Sequence, residues 1–180
     1  MNTFEVTVAI CVYNGEKYII ETLNSLERQT FTAFNILIVD DACTDRTMEL
    51  VREFISKHRT RKYRILSNGE NRGLAVSRNI AMENITTPYV LFFDADDIAE
   101  PTMLEKMYSR LKQDRNLIAI GCYGKMIDSY GNLLPGSVRM GCTDPAEALS
   151  KAEKGKLVFM PPCSMFRQKF AIQAGMKAVK

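Results

Sequence analysis

The chain has 180 residues, 46% hydrophobic and 25% charged, and its 24 Lys and Arg against 21 Asp and Glu leave a formal charge of +3. That length and apolar content suit one buried core, which excludes disordered, collagen-like and low-complexity classes, and the charge is too mild to indicate nucleic acid. No apolar run approaches the roughly 20 residues of a membrane-spanning helix, and the opening Met1-Asn2-Thr3-Phe4-Glu5 has neither the basic region nor the cleavage site of a signal peptide. Cys11, Cys43, Cys122, Cys142 and Cys163 are odd in number, scattered and never in C-x-x-C spacing. They suggest neither a disulfide framework nor a zinc knuckle, and a reducing cytoplasm is the expected compartment.

Short β-branched runs alternate with helical periodicity, which predicts βαβ units and a mostly parallel sheet. The first strand spans Val6 to Tyr13 and stops at the turn pair Asn14-Gly15, after which Ile19, Leu23 and Leu26 fall at helical spacing. Ile36-Leu37-Ile38-Val39 reads as a second, buried strand running into Asp40-Asp41, and Val51, Phe54, Ile55 and His58 mark the next helical face. The basic segment Lys57 to Arg64 follows; such runs beside a helix end are usually solvated, although an anionic lipid surface is an alternative partner. Tyr63 to Leu66 gives a third strand, Gly69 to Gly73 a polar loop, and Leu74 to Asn84 a helix that ends before Thr86-Thr87-Pro88.

Tyr89 to Phe93 is the fourth strand; it ends on Asp94-Ala95-Asp96-Asp97, and Pro101 suits the first turn of a helix carrying Leu104, Met107 and Leu111. Beyond it the alternation stops. Asp128 to Asn132 reads as a hairpin turn, Pro145 to Lys154 as a short helix, and Leu157 to Met160 as a late strand.

Ligands of open α/β sheets bind outside the carboxyl ends of the strands, where helix N-termini offer free N–H groups. Tyr13-Asn14, Asp40-Asp41 and Asp94-Ala95-Asp96 all fall at that edge, with Asn71, Arg72, Arg78 and Asn79 supplied from the third loop and helix. The Asp94-x-Asp96 pair suits oxygen coordination of Mg²⁺ or Mn²⁺ beside a phosphate ligand; the competing reading makes Asp97 a helix cap and its neighbours solvated turn carboxylates. A dinucleotide fingerprint and a P-loop are absent: no G-x-G-x-x-G follows the first strand, and Ser137-Val138 stands where a P-loop needs Lys and a hydroxyl. His58, the only histidine, leaves no material for a Ser-His-Asp triad or a His-ligated zinc and is expected to be structural.

Four ordered motifs, Thr7 to Glu16, Ile38 to Asp45, Asn71-Arg72-Gly73 with Ser77-Arg78-Asn79, and Phe93 to Asp97, resemble the family 2 glycosyltransferases of GT-A fold, strongly from Val6 to Glu100 and loosely beyond. The resemblance implies an α/β fold with a mostly parallel, mixed central sheet and helices on both faces. It implies one domain over positions 1–180, of which 1–100 is the half that binds the nucleotide-sugar and 101–180 an incomplete start of the acceptor half. The implied reaction is inverting transfer of a sugar from a nucleotide-diphospho-sugar, commonly a UDP-sugar, to a hydroxyl of a glycan or lipid-linked acceptor, assisted by Mg²⁺ or Mn²⁺. By motif position Val12 and Tyr13 line the base, Asp40 accepts from its imide N–H, Glu16 and Asn71 lie near the nucleotide, and Arg78 approaches the base or diphosphate. Asp94 and Ala95 lie toward ribose or sugar, and Asp96 takes the metal.

Ala42-Cys43 replaces the Gly-Ser usual in the family, from which a modest change in the turn is expected. The family's general base, an acidic pair following a segment like Phe170 to Met176, would fall beyond Lys180, so the chain is expected to be a fragment. Many members sit on the cytoplasmic membrane face, which makes a cytoplasmic, peripherally membrane-associated protein the implied location. Two other readings stand beside this one: a nucleotidyltransferase of related sheet architecture, and a module that binds nucleotide-sugar without transferring it.

Overall fold

The computed structural model describes residues 4–58, 63–139, 144–154 and 163–173. In chain order these form β1 (Val6–Val12), α1 (Ile19–Glu27), β2 (Phe34–Asp40), α2 (Thr47–Lys57), β3 (Tyr63–Ser67), α3 (Leu74–Asn84), β4 (Tyr89–Phe92) and α4 (Met103–Gln113). They continue as β5 (Ala119–Gly121), β6 (Gly124–Ile127), β7 (Leu133–Arg139), α5 (Pro145–Glu153), β8 (Ser164–Arg167) and α6 (Gln168–Gln173). A six-stranded sheet runs β3-β2-β1-β4-β8-β5, with β6 and β7 forming a separate hairpin. The first four strands are mutually parallel, as the alternating pattern predicts, whereas β8 lies antiparallel to both β4 and β5.

Burial on both faces explains why β1, β2 and β4 read as continuous apolar runs. Val6, Val8, Ile10 and Val12 of β1 join Phe34, Ile36, Ile38, Leu91 and Phe93 beneath α1, α2 and α4, which contribute Ile19, Leu23, Val51, Phe54, Leu104 and Leu111. Ala9, Leu37, Val39, Val90 and Phe92 face the opposite way, where they meet Ala81 and Met82 of α3, Phe166 of β8 and Ala171 of α6. Thr7, polar within this alternation, is satisfied by a 2.8 Å hydroxyl contact with Thr87.

The predicted elements through α4 sit where the periodicity puts them, with ends shifted by up to three residues; Pro101 precedes α4 by two residues instead of lying in its first turn. Asp128 to Asn132 does make a hairpin: the Asp128 carboxylate accepts N–H bonds from Tyr130 and Asn132, at 2.8 and 2.9 Å. His58 caps the C-terminus of α2, its ring stacked 3.9 Å from Phe54 and its Nδ1 3.0 Å from the Phe54 carbonyl, a structural role. Lys57 at the same end is ion-paired to Glu53 at 2.6 Å, and the strand expected at Leu157 to Met160 lies outside the described residues. The elements that the pattern did not announce are β5, β8 and α6. They are only three, four and six residues long, too short to display a period.

Two polar side chains, half-buried Arg167 and buried Gln29, join these layers. Arg167, at the end of β8, donates from Nε to the Leu117 carbonyl at 2.9 Å and from Nη2 to the Leu111 carbonyl at 2.6 Å, covering the open C-terminal carbonyls of α4. It also lines a cavity of about 320 Å³ with Tyr89, Lys112, Arg115 and Lys169; Tyr89 begins β4, so this cavity opens at the sheet edge opposite the strand ends Asp40 and Phe92. Gln29 donates from Nε2 to the Glu100 carbonyl at 2.7 Å and accepts the Leu104 N–H at 3.0 Å, fixing the start of α4 against the end of α1. Gln29→Met leaves the buried Leu104 N–H without its acceptor, while the Glu100 carbonyl keeps the Met103 N–H; a loss of about 1–3 kcal/mol in urea unfolding is expected.

Candidate functional site

Parallel pairing brings the carboxyl ends of β2, β1 and β4 side by side, so the three polar motifs following them share one crevice. Their approach is close. A methyl group on Gly15 would stand 2.8 Å from the Val12 side chain and 3.8 Å from that of Ala95, so only glycine lets the loop after β1 pass between these neighbours. Thr22 of α1 donates to the Ala95 carbonyl at 2.8 Å, holding the loop after β4 against the same helix.

The loops after β1 and β2 are fastened together by side chains that sequence spacing did not single out. Asn14, at φ 52°, accepts the Thr44 N–H through Oδ1 at 2.8 Å, and Gly15 N–H donates to Thr47 Oγ1 at 2.8 Å. Glu16, an expected nucleotide contact, accepts the Arg46 N–H at 2.9 Å, while Asp45 accepts the Thr47 N–H at 2.9 Å. These carboxylates occupy the N-terminus of α2, favourable positions against its dipole. The Leu104 N–H of α4 is likewise taken by Gln29. The N–H groups of Arg46 and Thr47 at the start of α2 and of Leu104 in α4 are therefore taken by side chains of the chain itself and are not open to a ligand.

Asp40 ends β2 almost fully buried; its Oδ1 accepts the Cys43 N–H at 2.8 Å and its Oδ2 lies 3.3 Å from the Ser67 hydroxyl. Between these residues Ala42 adopts φ 62°, the left-handed region. The usual glycine is replaced by a residue that tolerates this backbone less well, and the turn is kept at a cost of about 1–2 kcal/mol. Asp41 is also buried, with N–H on the Val12 carbonyl at 2.9 Å. Its carboxylate accepts from Asn68 Nδ2 at 2.6 Å, Arg72 N–H at 2.9 Å and Gly73 N–H at 2.8 Å, immediately before α3 begins. Burial pushes the Asp41 carboxyl up, but the donors from Arg72, Asn68 and Gly73 outweigh it and hold the group below the usual carboxylate range. Asn71 is an exposed turn residue that accepts the Gly73 N–H at 3.2 Å.

On α3, Arg78 Nη2 lies 3.1 Å from Asp94 Oδ1, and the guanidinium also covers the Phe92 ring at 5.4 Å from its centroid. Burial, reinforced by the charge of Asp96, raises the Asp94 carboxyl above its ordinary value, against the pull of Arg78. Asp96 is exposed and makes no hydrogen bond or ion pair among the described residues. Tyr13 is half exposed at the crevice mouth, beside buried Val12. Asp97 does not cap α4, which starts six residues later at Met103; it accepts instead from the Cys163 thiol at 3.6 Å. The described residues contain no cluster of three or more His, Cys, Asp or Glu able to enclose a metal by themselves.

Asp41→Asn replaces an acceptor-only carboxylate by an amide whose NH₂ must oppose at least one of the N–H donors, Gly73 on one side or Asn68 and Arg72 on the other, so a loss of about 1–3 kcal/mol in urea unfolding at pH 7 is expected. Because the folded carboxyl titrates below its unfolded value of about 3.9, its contribution is fully present above that pH and disappears as pH falls through the folded value. The stability gap between wild type and Asp41→Asn should therefore narrow only below about pH 4.

Residues 7–175 match the model of glycosyl transferase family 2. An uncharacterized glycosyltransferase of Haemophilus influenzae is 36% identical over 122 residues, 68% of this chain and 37% of that protein. S. aureus TarS 1-349 in complex with UDP-GlcNAc has a TM-score of 0.74 at 23% identity, covering 96% of this chain and 48% of that 1-349 chain. The mannosyltransferase PcManGT from Pyrobaculum calidifontis, in complex with GDP-Man and Mn²⁺, has a TM-score of 0.71 at 20% identity, covering 96% of this chain and 47% of that one. The chain thus spans less than half the length of each of these proteins. It belongs to glycosyl transferase family 2, with the GT-A architecture.

Proposed function

We propose that the crevice binds a nucleotide-diphospho-sugar, with a UDP-sugar the first choice, and that the whole protein transfers the sugar with inversion to a hydroxyl of a glycan or lipid-linked acceptor. The observation that carries this reading is the convergence of Asp40, Arg78, Asp94 and unpaired Asp96 at three adjacent parallel strand ends in a chain of this family. Structures of like fold hold UDP-GlcNAc in one case and GDP-Man with Mn²⁺ in another, which supports the donor class and the use of a divalent ion.

In this reading Tyr13 offers a ring face to the base over the apolar floor of Val12, and Asp40, oriented by Cys43 and Ser67, accepts the imide N–H. Arg78 meets negative charge on the departing diphosphate, and Asp94 holds the guanidinium in place while facing ribose or sugar beside Ala95. Glu16 and Asn71 border the nucleotide as rim residues whose backbone contacts shape the loops. The donor set fits Mg²⁺ or Mn²⁺: Asp96 is a hard oxygen ligand with free valences around it, leaving most positions to phosphate oxygens and water. Such an ion would neutralise charge on the leaving diphosphate.

Inversion also requires a base for the acceptor hydroxyl. Asp128 holds the hairpin turn, Asp144 accepts the Glu147 N–H at 2.9 Å, and Glu147 is paired with Lys151 at 2.7 Å, so these acidic residues are committed elsewhere. We accordingly assign positions 1–100 to donor binding and 101–180 to the beginning of the acceptor half. This division, with the chain's short span of its relatives, favours a second reading in which these 180 residues bind donor without transferring sugar. No helix among the described residues is long and apolar enough to cross a membrane; work at the cytoplasmic membrane face, by peripheral contact, is part of the proposal.

Calorimetric titration with UDP tests the donor site. Binding in Mn²⁺ should weaken at least tenfold in EDTA and in Asp96→Ala, while unfolding free energy of that exposed variant stays within about 0.5 kcal/mol of wild type. Binding indifferent to both changes, or absent altogether, would overturn the assignment. Sugar transfer to an added acceptor above the rate without protein would exclude the binding-only reading.

A further inference from the structure

Cys122 and Cys163 stand apart from the donor crevice's chemistry. The antiparallel register of β5 on β8 pairs Ala119 with Phe166, Ile120 with Met165 and Gly121 with Ser164, so its next step sets Cys122 opposite Cys163. That step is realised: Cys122 N–H donates to the Cys163 carbonyl at 3.2 Å, while Cys163 N–H turns to the Phe92 carbonyl of β4 at 3.0 Å. Cys163 holds φ 65°, a backbone region that residues other than glycine seldom adopt, and both residues are half-buried. The Cys163 sulfur lies 3.6 Å from Asp97 Oδ2, one residue beyond the Asp94-x-Asp96 motif. Two cysteines 41 positions apart in sequence are thus set opposite each other by strand pairing.

We propose that Cys122 and Cys163 form an oxidisable dithiol site that reacts with hydroperoxides to give a reversible disulfide, closing the chain between β5 and β8 beside Asp97. The Cys122 thiolate attacks a peroxide oxygen, the O–O bond breaks, and the departing hydroxide or alkoxide takes up the proton released by the Cys122 thiol, leaving a sulfenic acid. The Cys163 sulfur then attacks the Cys122 sulfur and displaces hydroxide, which takes the Cys163 proton as a second water. Overall two thiols and one hydroperoxide give one disulfide, with water as the other product when the oxidant is hydrogen peroxide. An external dithiol reverses the step by exchange.

The two thiols have unequal parts. The neighbouring Cys163 thiol lowers the Cys122 thiol against the opposing effect of burial, making Cys122 the attacking sulfur, while Cys122 and burial push the Cys163 thiol up and leave it the resolving one. Burial pushes Cys11 up to about 12 and Cys43 up to about 11, leaving those thiols protonated and sluggish. The inference does not depend on the donor reading, since it concerns sulfur chemistry at β5 and β8 alone.

The folded chain is treated with hydrogen peroxide, alkylated, digested without reductant and mapped by mass spectrometry. A Cys122–Cys163 linked peptide should dominate, with an intact-mass loss of about 2 Da that dithiothreitol restores, while Cys11 and Cys43 are recovered alkylated. In guanidinium chloride the preference should reverse, because Cys142 lies 20 positions from Cys122 and 21 from Cys163 and shorter loops close more readily. The link should persist in folded Cys142→Ser. Recovery of Cys122 and Cys163 as alkylated thiols from the treated folded chain, or native linkages to Cys142 as frequent as in denaturant, would overturn the proposal.

Discussion

The crevice depends on one buried carboxylate. Asp41 opens the loop after β2 with its N–H on the Val12 carbonyl and its oxygens on Asn68, Arg72 and Gly73, so one residue joins the ends of β1 and β2 to the loop that leads from β3 into α3. Each of those N–H groups would otherwise be an unpaired donor at a partly dry loop junction, an expensive state. Satisfying them by an ionised group sets where α3 begins, and therefore where Arg78, one turn further on, can reach Asp94 at 3.1 Å. Asp41 itself faces inward and is spent on this task.

The same economy governs the neighbouring loops. Asn14, Glu16, Asp45 and Thr47 exchange backbone and side-chain hydrogen bonds until the N-terminus of α2 has carboxylate partners from its own chain. In many α/β sheets a helix N-terminus is left open for phosphate. Here the positive charge that remains toward the crevice is Arg78, already opposed by Asp94, and Asp96 adds a further negative group whose field raises the Asp94 carboxyl. A diphosphate entering such a site gains from an added cation, which is the physical reason for tying donor binding to a divalent ion.

Much of the fold was legible because β1, β2 and β4 are buried on both faces and α1, α2 and α4 on one, and these two conditions write different periods into the chain. The positions of Asp40, Asp94 and Asp96 at strand ends followed from that pattern alone. The roles within the crevice were less legible. Asp40 and Asp41 are identical neighbours in sequence, yet one presents its carboxylate between Cys43 and Ser67 while the other ties its own loop to the one between β3 and α3. Nothing local distinguishes them, because the distinction is made by Arg72 and Gly73, more than thirty positions away. Ala42 illustrates the reverse: a substitution visible in the sequence proves to be a backbone matter, an alanine held in the left-handed region.

The sequence by itself determined the α/β class, the order of the first eight elements, the strand-end position of the acidic motifs and, through four ordered motifs, the family. Those are consequences of hydrophobic period and of local turn chemistry, which act over a few residues. Tertiary structure alone decided the sheet order β3-β2-β1-β4-β8-β5, the antiparallel return of β8 and the occupied ends of α2 and α4. It likewise decided the pairing of Cys122 with Cys163 and of Arg78 with Asp94. These features join residues far apart in the chain, so they arise only when buried strands find partners and each desolvated polar group must be matched by whatever the fold carries to it.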